Sequence, residues 1–149
     1  MRTIFLFMLT ALFLQNPLHG ADRLTLALLG EPPALLDLLS IELTRDDSFA
    51  LLARTEIDQI LREHQLTASD SSQLARLFPH ADIIAVFTAA WNQKSGRVVV
   101  INAKNGFRLA DQSWAYDDPT EQINSFVQII RDGADKARKP GSQFIAISQ

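Results

Sequence analysis

The sequence predicts an α/β fold in which a mixed β-sheet with a three-strand antiparallel meander is packed by helices, in the order β-α-β-α-α-β-β-β-α. Three observations predict it. In the first half of the chain, short apolar runs alternate with amphipathic helical segments. From Ala81 the hydrophobic pattern changes to closely spaced strands, and Asn105-Gly106 is a hairpin signal between two of them. A long amphipathic helix follows the meander and covers the sheet.

The first half of the chain predicts β-α-β-α-α. Pro32 and Pro33 suit the first turn of a helix, where amide donors have no partner within the helix. Leucines then recur every fourth residue and form a buried stripe. Thr55 and Asp58 have the spacing of a capping box, which predicts that the next helix begins there. The predicted elements are a strand at 22–30, a helix within 31–47, a strand at 48–53, and helices within 51–66 and 69–80.

The second half predicts the meander and the longest helix. The run Val98-Val99-Val100-Ile101 does not alternate, so we expect this strand to be covered on both faces. Asp118 and Glu121 predict the start of the helix, and Gly133 weakens its second half. After Pro140-Gly141, "SQFIAISQ" begins another strand, which either returns to the sheet or opens a further part of the protein. The predicted elements are strands at 81–91, 97–103 and 107–116 and a helix at 117–139.

The N-terminus predicts export. Arg2 precedes an uncharged apolar run at 3–14, and "QNPLHGADR" then supplies a cleavage zone. The run is short for a bilayer span. We therefore interpret residues 1–20 as a signal peptide that is cleaved after Gly20 or Ala21, with no stable membrane span after its removal. The alternative interpretation is an uncleaved N-terminal anchor.

The chain contains no cysteine. A bacterial lipoprotein needs one at its cleavage site, so the sequence predicts no lipid anchor, and it excludes disulfides and cysteine-ligated metals. Residues 21–149 are expected to form one domain, either complete or the N-terminal part of a longer architecture. Its predicted location is the periplasm, or the envelope through partners.

The composition is that of an ordinary globular protein with a mild negative charge. Apolar residues make up 47% and charged residues 21%. The net charge is −3, and the loss of Arg2 with the signal peptide makes it −4. No basic patch is present, so nucleic acid and anionic membrane surfaces are not expected partners.

The segment "LLARTEIDQILREHQL", at 51–66, concentrates the charged and titratable residues. Glu56 and His64 are eight residues apart, about 12 Å along a helix, so they cannot share a metal or a proton. Asp58 and Arg62 have the i, i+4 spacing of an exposed ion pair. The pattern favours a solvated helix face, and we expect no catalytic residue here.

Metal and nucleotide sites are not indicated either. His19 leaves with the signal peptide, while His64 and His80 are interpreted as surface residues. Gly30 lies between a strand and a helix, where an anion could bind. Glu31 and the two prolines that follow make that turn unsuitable for phosphate, so the sequence predicts no cofactor and no bound metal.

Three aromatic residues lie at or near predicted strand ends: Trp91, Trp114 and Tyr116. A stacking platform for single-stranded nucleic acid would interleave them with more Arg and Lys than an acidic chain provides. Packing in the core or at its rim is the favoured interpretation. A protein-binding patch is the alternative, and these three residues are its candidates.

Two segments resemble the CsgG-like proteins, whose best-known member is a component of curli production and transport. In the first, 51–66, a short strand leads into a helix with an arginine and a late glutamate. In the second, 81–116, an Ala-Asp strand leads into a meander with a turn glycine, here Gly106. The likeness covers roughly 22–138, and in the first segment its matching residues are Leu51, Arg54, Ile57, Ile60, Leu61 and Glu63.

The resemblance implies a periplasmic α/β domain related to the TolB N-terminal domain and to LpoB. Pore formation is not implied, because the lipidation cysteine and long amphipathic hairpins are missing. It implies a non-enzymatic protein that acts through protein contacts in envelope assembly or secretion. Its partners would be envelope proteins, and it could also form a homo-oligomer. The alternative is an LpoB-like regulator of a cell-wall synthase, and a remote one is a hydrolytic enzyme.

Overall fold

The computed structural model describes residues 23–64, 71–89, 94–115 and 118–139. The predicted signal peptide and the last predicted strand lie outside these ranges. Within them the fold class is confirmed, since a mixed sheet is packed by helices in the predicted order. The elements are β1 (Leu24–Gly30), α1 (Pro33–Thr44), β2 (Phe49–Leu51), α2 (Arg54–Glu63), α3 (Ser71–Leu77), β3 (Ile83–Ala89), β4 (Ser95–Asn102), β5 (Arg108–Ala115) and α4 (Ile123–Arg138), with a short 3-10 turn at Pro119–Gln122 before α4.

The described strands form one sheet in the order β2-β1-β3-β4-β5. β1 is parallel to both β2 and β3, whereas β3, β4 and β5 pair antiparallel as the predicted meander. The chain therefore moves from β1 to one side through α1, and then crosses to the other side of β1 through α2 and α3. This reversal of direction makes the carboxyl end of β1 a topological switch point.

Each face of the sheet has its own apolar core. α1 and α4 pack on one face, where their leucines and aromatic residues meet the inward side chains of β1, β3 and β4. α2 and α3 cover the other face around Ile57 and Phe78. In β4, Val98 and Val100 belong to the first core, while Val99 and Ile101 pack in the second. The prediction that this strand is covered on both faces is confirmed.

Local differences from the prediction occur at a helix start and at a turn. The predicted capping box at Thr55 is wrong: α2 begins at Arg54 after Ala53, and no side chain caps it. The link predicted at 104–106 is longer by one residue at each end, because β4 ends at Asn102 and β5 begins at Arg108, and Asn102 N donates to Phe107 O (2.8 Å) across residues 103–106. In contrast, Asp118 acts as a cap as predicted, since its carboxylate accepts from Thr120 N at 2.8 Å. The segment that it caps is the 3-10 turn Pro119–Gln122, and α4 itself begins only at Ile123.

Gly133 lies where α4 packs closely against β4. A Cβ atom there would stand 2.7 Å from Val100 Cγ1. The sequence marked this glycine as a weak point of the helix. The structure explains why a glycine occupies this position in the helix, because only a residue without a side chain lets the α4 backbone approach β4 so closely.

Asp46 joins the α1–β2 turn to α4. Its carboxylate accepts from Ser48 N (2.9 Å) and from Arg131 Nε (2.8 Å), and its side chain is 14% exposed. The Ser48 backbone hydrogen bond, with the Arg131 contact, holds the pKa of Asp46 below its usual 3.8. A carboxyl group whose pKa is lowered on folding stabilises the fold above its unfolded pKa, and that contribution is lost as the pH falls through the folded pKa.

We therefore expect Asp46→Asn to destabilise the fold at pH 7 by about 1–2 kcal/mol, through loss of charge-assisted hydrogen bonds. The difference from the unmodified protein should shrink below about pH 4, since Asp46 is then increasingly protonated in the unfolded chain. Urea unfolding at pH 7 and pH 3 measures both. Asp47→Asn is the matched control: Asp47 is 95% exposed and pairs only with Arg23 among the contacts described, so little change is expected. Equal effects of the two variants would contradict this role of Asp46.

Candidate functional site

Apart from Arg54, the charged residues of α2 face solvent, as predicted. Glu56, Asp58 and His64 are all exposed, and Arg62 Nε donates to the Asp58 backbone oxygen at 3.1 Å. Glu63 accepts a hydrogen bond from Gln59, one turn earlier on the same face (2.9 Å). These contacts are local to the helix, and they bring no acid–base pair together.

The aromatic candidates do not form a described surface patch. Trp114 is only 4% exposed and packs edge-on against Phe126, with 6.2 Å between ring centroids. Its ring therefore belongs to the α4-side core, which corrects the suggestion that it contacts a partner. Trp91 and Tyr116 lie outside the described residues.

Groups with shifted pKa values have structural explanations. A side-chain hydrogen bond from Arg97 of β4 lowers the pKa of Asp111, and Arg108, within the same strand β5 as Asp111, forms a second ion pair with it. Hydrogen bonds from Thr120 lower the pKa of Asp118 at its cap. Over the described ranges, no three His, Asp or Glu side chains come together to hold a metal ion. None of the helices described there is long and apolar enough to cross a membrane.

A cleft of about 370 Å³ opens at the carboxyl ends of β1 and β3. Leu29 and Phe87, from the ends of these strands, provide an apolar floor, and Ile57 and Leu61 of α2 form one wall. Gly30 has a φ of +110° there, and its neighbour Glu31 donates its backbone N–H to Phe87 O (3.0 Å). The cleft thus lies at the topological switch point of the sheet, where ligands of open α/β sheets bind.

Charged side chains from two elements surround this floor. Glu31 follows β1, while Arg54 and Asp58 come from the first two turns of α2. Arg54 Nη1 is buried without a hydrogen bond and lies 3.7 Å from Asp37 Oδ1 of α1. The ion pair with Asp37 holds this nitrogen, while 38% of the Arg54 side chain stays exposed, so the guanidinium can still donate to an incoming oxygen through its other N–H groups.

The sequence did not single out this cleft. Gly30 and Glu31 were considered only as a phosphate turn, and Arg54 only as part of a family pattern. Gly30 between a strand and a helix was a usable signal, because it marks the carboxyl end of a central strand. That Arg54 would lie beside Gly30 depends on how β2 pairs with β1, which no local pattern specifies.

Comparisons with known proteins found similar solved structures, two of which are described here. The LpoB C-terminal domain from Salmonella enterica is 11% identical with a TM-score of 0.49, over 64% of this chain and 83% of that chain. The lipoprotein GNA1162 from Neisseria meningitidis is 12% identical with a TM-score of 0.47, over 78% of this chain and 99% of that chain. No protein-family model and no curated protein matches the sequence. The resemblance to CsgG-like proteins therefore stays a prediction.

Proposed function

We propose that this is an exported, non-enzymatic protein that acts through protein contacts in envelope assembly or secretion, and that the cleft at the carboxyl ends of β1 and β3 is its contact site. The N-terminal sequence pattern supports export. The dispersed acidic and basic groups of α2 support a role without acid–base chemistry.

The observation that carries this proposal is Arg54. Arg54 lines an open, apolar-floored cleft, and 38% of its side chain is exposed while Asp37 pairs with one of its guanidinium nitrogens. A partner that places a carbonyl or carboxylate oxygen beside the exposed part of this guanidinium would gain a charge-assisted hydrogen bond while it covers Leu61. Such a small apolar centre with one polar anchor is typical of protein recognition sites.

Two partner classes fit this proposal. One is a component of a secretion apparatus, as the CsgG-like resemblance implies. The other is a cell-wall synthase, for which this protein would be a periplasmic regulator of the LpoB kind. Either partner class requires an exposed contact site on this protein. The identity of the bound protein distinguishes the two classes.

Capture from envelope extracts of the source cell tests the site and the partner class together. We expect Arg54→Ala to reduce the captured amount about tenfold, equivalent to about 1.4 kcal/mol. Secretion components among the bound proteins would support the first class, and wall synthases the second. Arg45→Ala is the matched control, because Arg45 is 70% exposed and pairs with Glu42 at the other end of α1.

Two results would contradict the proposal. Equal capture by Arg54→Ala and the unmodified protein would remove the cleft as the contact site. A hydrolytic or transferase activity of the purified protein that is lost in Glu56→Gln or His64→Ala would show that the protein is an enzyme, contrary to the proposal.

A further inference from the structure

The charges that line the cleft at the carboxyl ends of β1 and β3 are unequal in sign. Among the described residues that line it, Glu31, Arg54 and Asp58 are charged, Thr88 is polar, and the others are apolar or glycine. Asp37 Oδ1 lies 3.7 Å from Arg54 Nη1, so α1 already offsets the positive charge of Arg54. Within the described ranges, no ion pair includes Glu31 or Asp58. The cleft therefore has these two carboxylates in excess and is suited to a cation.

The two carboxylates come from different elements, and both are accessible. Glu31 follows β1, and its backbone N–H donates to Phe87 O (3.0 Å), which holds this residue beside the end of β3. Asp58 lies in the second turn of α2, next to the buried Ile57. Arg62 Nε donates to the Asp58 backbone oxygen (3.1 Å), and the Asp58 side chain is exposed. Since Glu31 is exposed as well, both carboxylates can accept from a group that enters from solvent.

The floor of the cleft is apolar, and the space above it is small. Leu29 and Phe87 are buried at the strand ends, and Leu61 of α2 is half-buried at the wall. The volume of about 370 Å³ is near the lower end of the range for small-ligand sites, about 300–1,000 Å³. A space of this size takes a side chain of a partner rather than a helix or a strand. The apolar floor and the excess of carboxylates together define the chemistry of that side chain.

An arginine side chain matches both features of the cleft. Its methylene stem covers apolar surface while its charged head stays on the solvent side. The planar guanidinium donates hydrogen bonds to carboxylates in a fixed geometry, and it is less strongly hydrated than the ammonium group of lysine. Arginine is also enriched among the residues that dominate binding at protein interfaces. A leucine would cover the floor but leave both carboxylates without a partner, and an acidic side chain would be repelled by them.

We propose that the partner protein inserts an arginine side chain into this cleft. The stem of that side chain covers the apolar floor, and its guanidinium binds the carboxylates of Glu31 and Asp58. This role rests on the proposed function, because it names the chemistry of the partner at the same contact site. Arg54 is compatible with it, because Asp37 holds its Nη1 atom and the exposed part of its side chain remains available to a carbonyl oxygen of the partner.

Nuclear magnetic resonance titration of the isotope-labelled protein tests the occupant directly. The probe is N-acetyl-arginine methylamide, and N-acetyl-citrulline methylamide is the control, because it has nearly the same shape and no charge. We expect the arginine probe to shift the backbone amide signals of Gly30, Glu31 and Asp58. We also expect it to bind about threefold or more tightly than the citrulline control, as an exposed ion pair would allow.

Two double variants test whether these carboxylates are responsible. Glu31→Gln with Asp58→Asn should remove the preference for arginine. Glu56→Gln with Glu63→Gln makes the same change of charge at exposed residues of α2 outside the cleft lining, and it should retain the preference. Circular dichroism first establishes that both variants fold like the parent. Equal binding of the two probes, no shift of the cleft amides, or an arginine preference that survives in the first variant would overturn the proposal.

Capture from envelope extracts distinguishes a failure of this proposal from a failure of the proposed function. If Arg54→Ala reduces capture but the arginine probe does not bind, the cleft remains the contact site and arginine is not its occupant. If Arg54→Ala leaves capture unchanged, the cleft is not the contact site, and the arginine proposal fails with it. If both are correct, Glu31→Gln with Asp58→Asn should capture about threefold less partner than the unmodified protein.

Discussion

Gly30→Ala is expected to destabilise the fold by about 3 kcal/mol or more, or to prevent folding. The φ of Gly30 is +110°, a conformation that residues with a side chain rarely adopt. An added Cβ would also lie 1.7 Å from Phe87 O, and that oxygen is held by the backbone N–H of Glu31. This steric overlap can be relieved only if β1 and β3 separate at the cleft. Urea unfolding followed by far-UV circular dichroism measures the loss.

Gly106→Ala is the matched control for this prediction. Gly106 also has a positive φ, +73°, but it lies in the loop between β4 and β5 instead of between two central strands. Its expected cost is about 1–2 kcal/mol, from the backbone conformation alone. Equal losses in the two variants would show that the contact with Phe87 adds nothing.

Phe126→Ala is expected to cost about 3–5 kcal/mol, because it leaves a cavity between α4 and the sheet. Phe126 is 2% exposed. Its ring meets Phe87 edge-on, with 5.5 Å between centroids and 89° between planes, and it also contacts Trp114. Edge-to-face aromatic pairs contribute beyond the area they bury. Thermal and urea unfolding measure this loss.

Two further variants test whether the loss of stability in Phe126→Ala comes from the cavity that it leaves in the core. Phe126→Leu keeps most of the apolar volume and should lose clearly less than Phe126→Ala. Phe107→Ala changes a residue that is 57% exposed, so its effect should stay within about 0.5 kcal/mol. A loss in Phe126→Ala no larger than that in Phe107→Ala would contradict the position of Phe126 in the core.

The order of elements was predictable because apolar periodicity records which face of each element is buried. The uninterrupted apolar run of β4 correctly predicted that this strand is covered on both faces. Asp118 was correctly predicted to act as a helix cap. Local sequence patterns gave wrong boundaries where contacts between residues far apart in the sequence determine where an element begins. The β1–β2 ladder ends where Leu52 N donates to Leu26 O, and α2 begins two residues later at Arg54, so the cap position is Ala53 and not Thr55.

The candidate site was less predictable than the fold for the same reason. Arg54 is close to Glu31 and Phe87 only because β2 pairs beside β1 and β3 pairs on its other side. The charges of α2 attracted attention in the sequence, yet those that face solvent bring no reactive groups together. The residues with a distinctive environment are the glycine that ends β1 and the arginine that begins α2.

Site-specific photo-crosslinking in the source cell tests the central claim, protein contact at the cleft, most directly. A photoreactive amino acid replaces Leu61, which lines the cleft, or Gln128, which is exposed on α4. We expect the probe at Leu61 to form a defined adduct with an envelope protein, and we expect Arg54→Ala to weaken that adduct. The probe at Gln128 should form none. Adducts of equal yield at the two positions, or no adduct at Leu61, would contradict protein contact at this cleft.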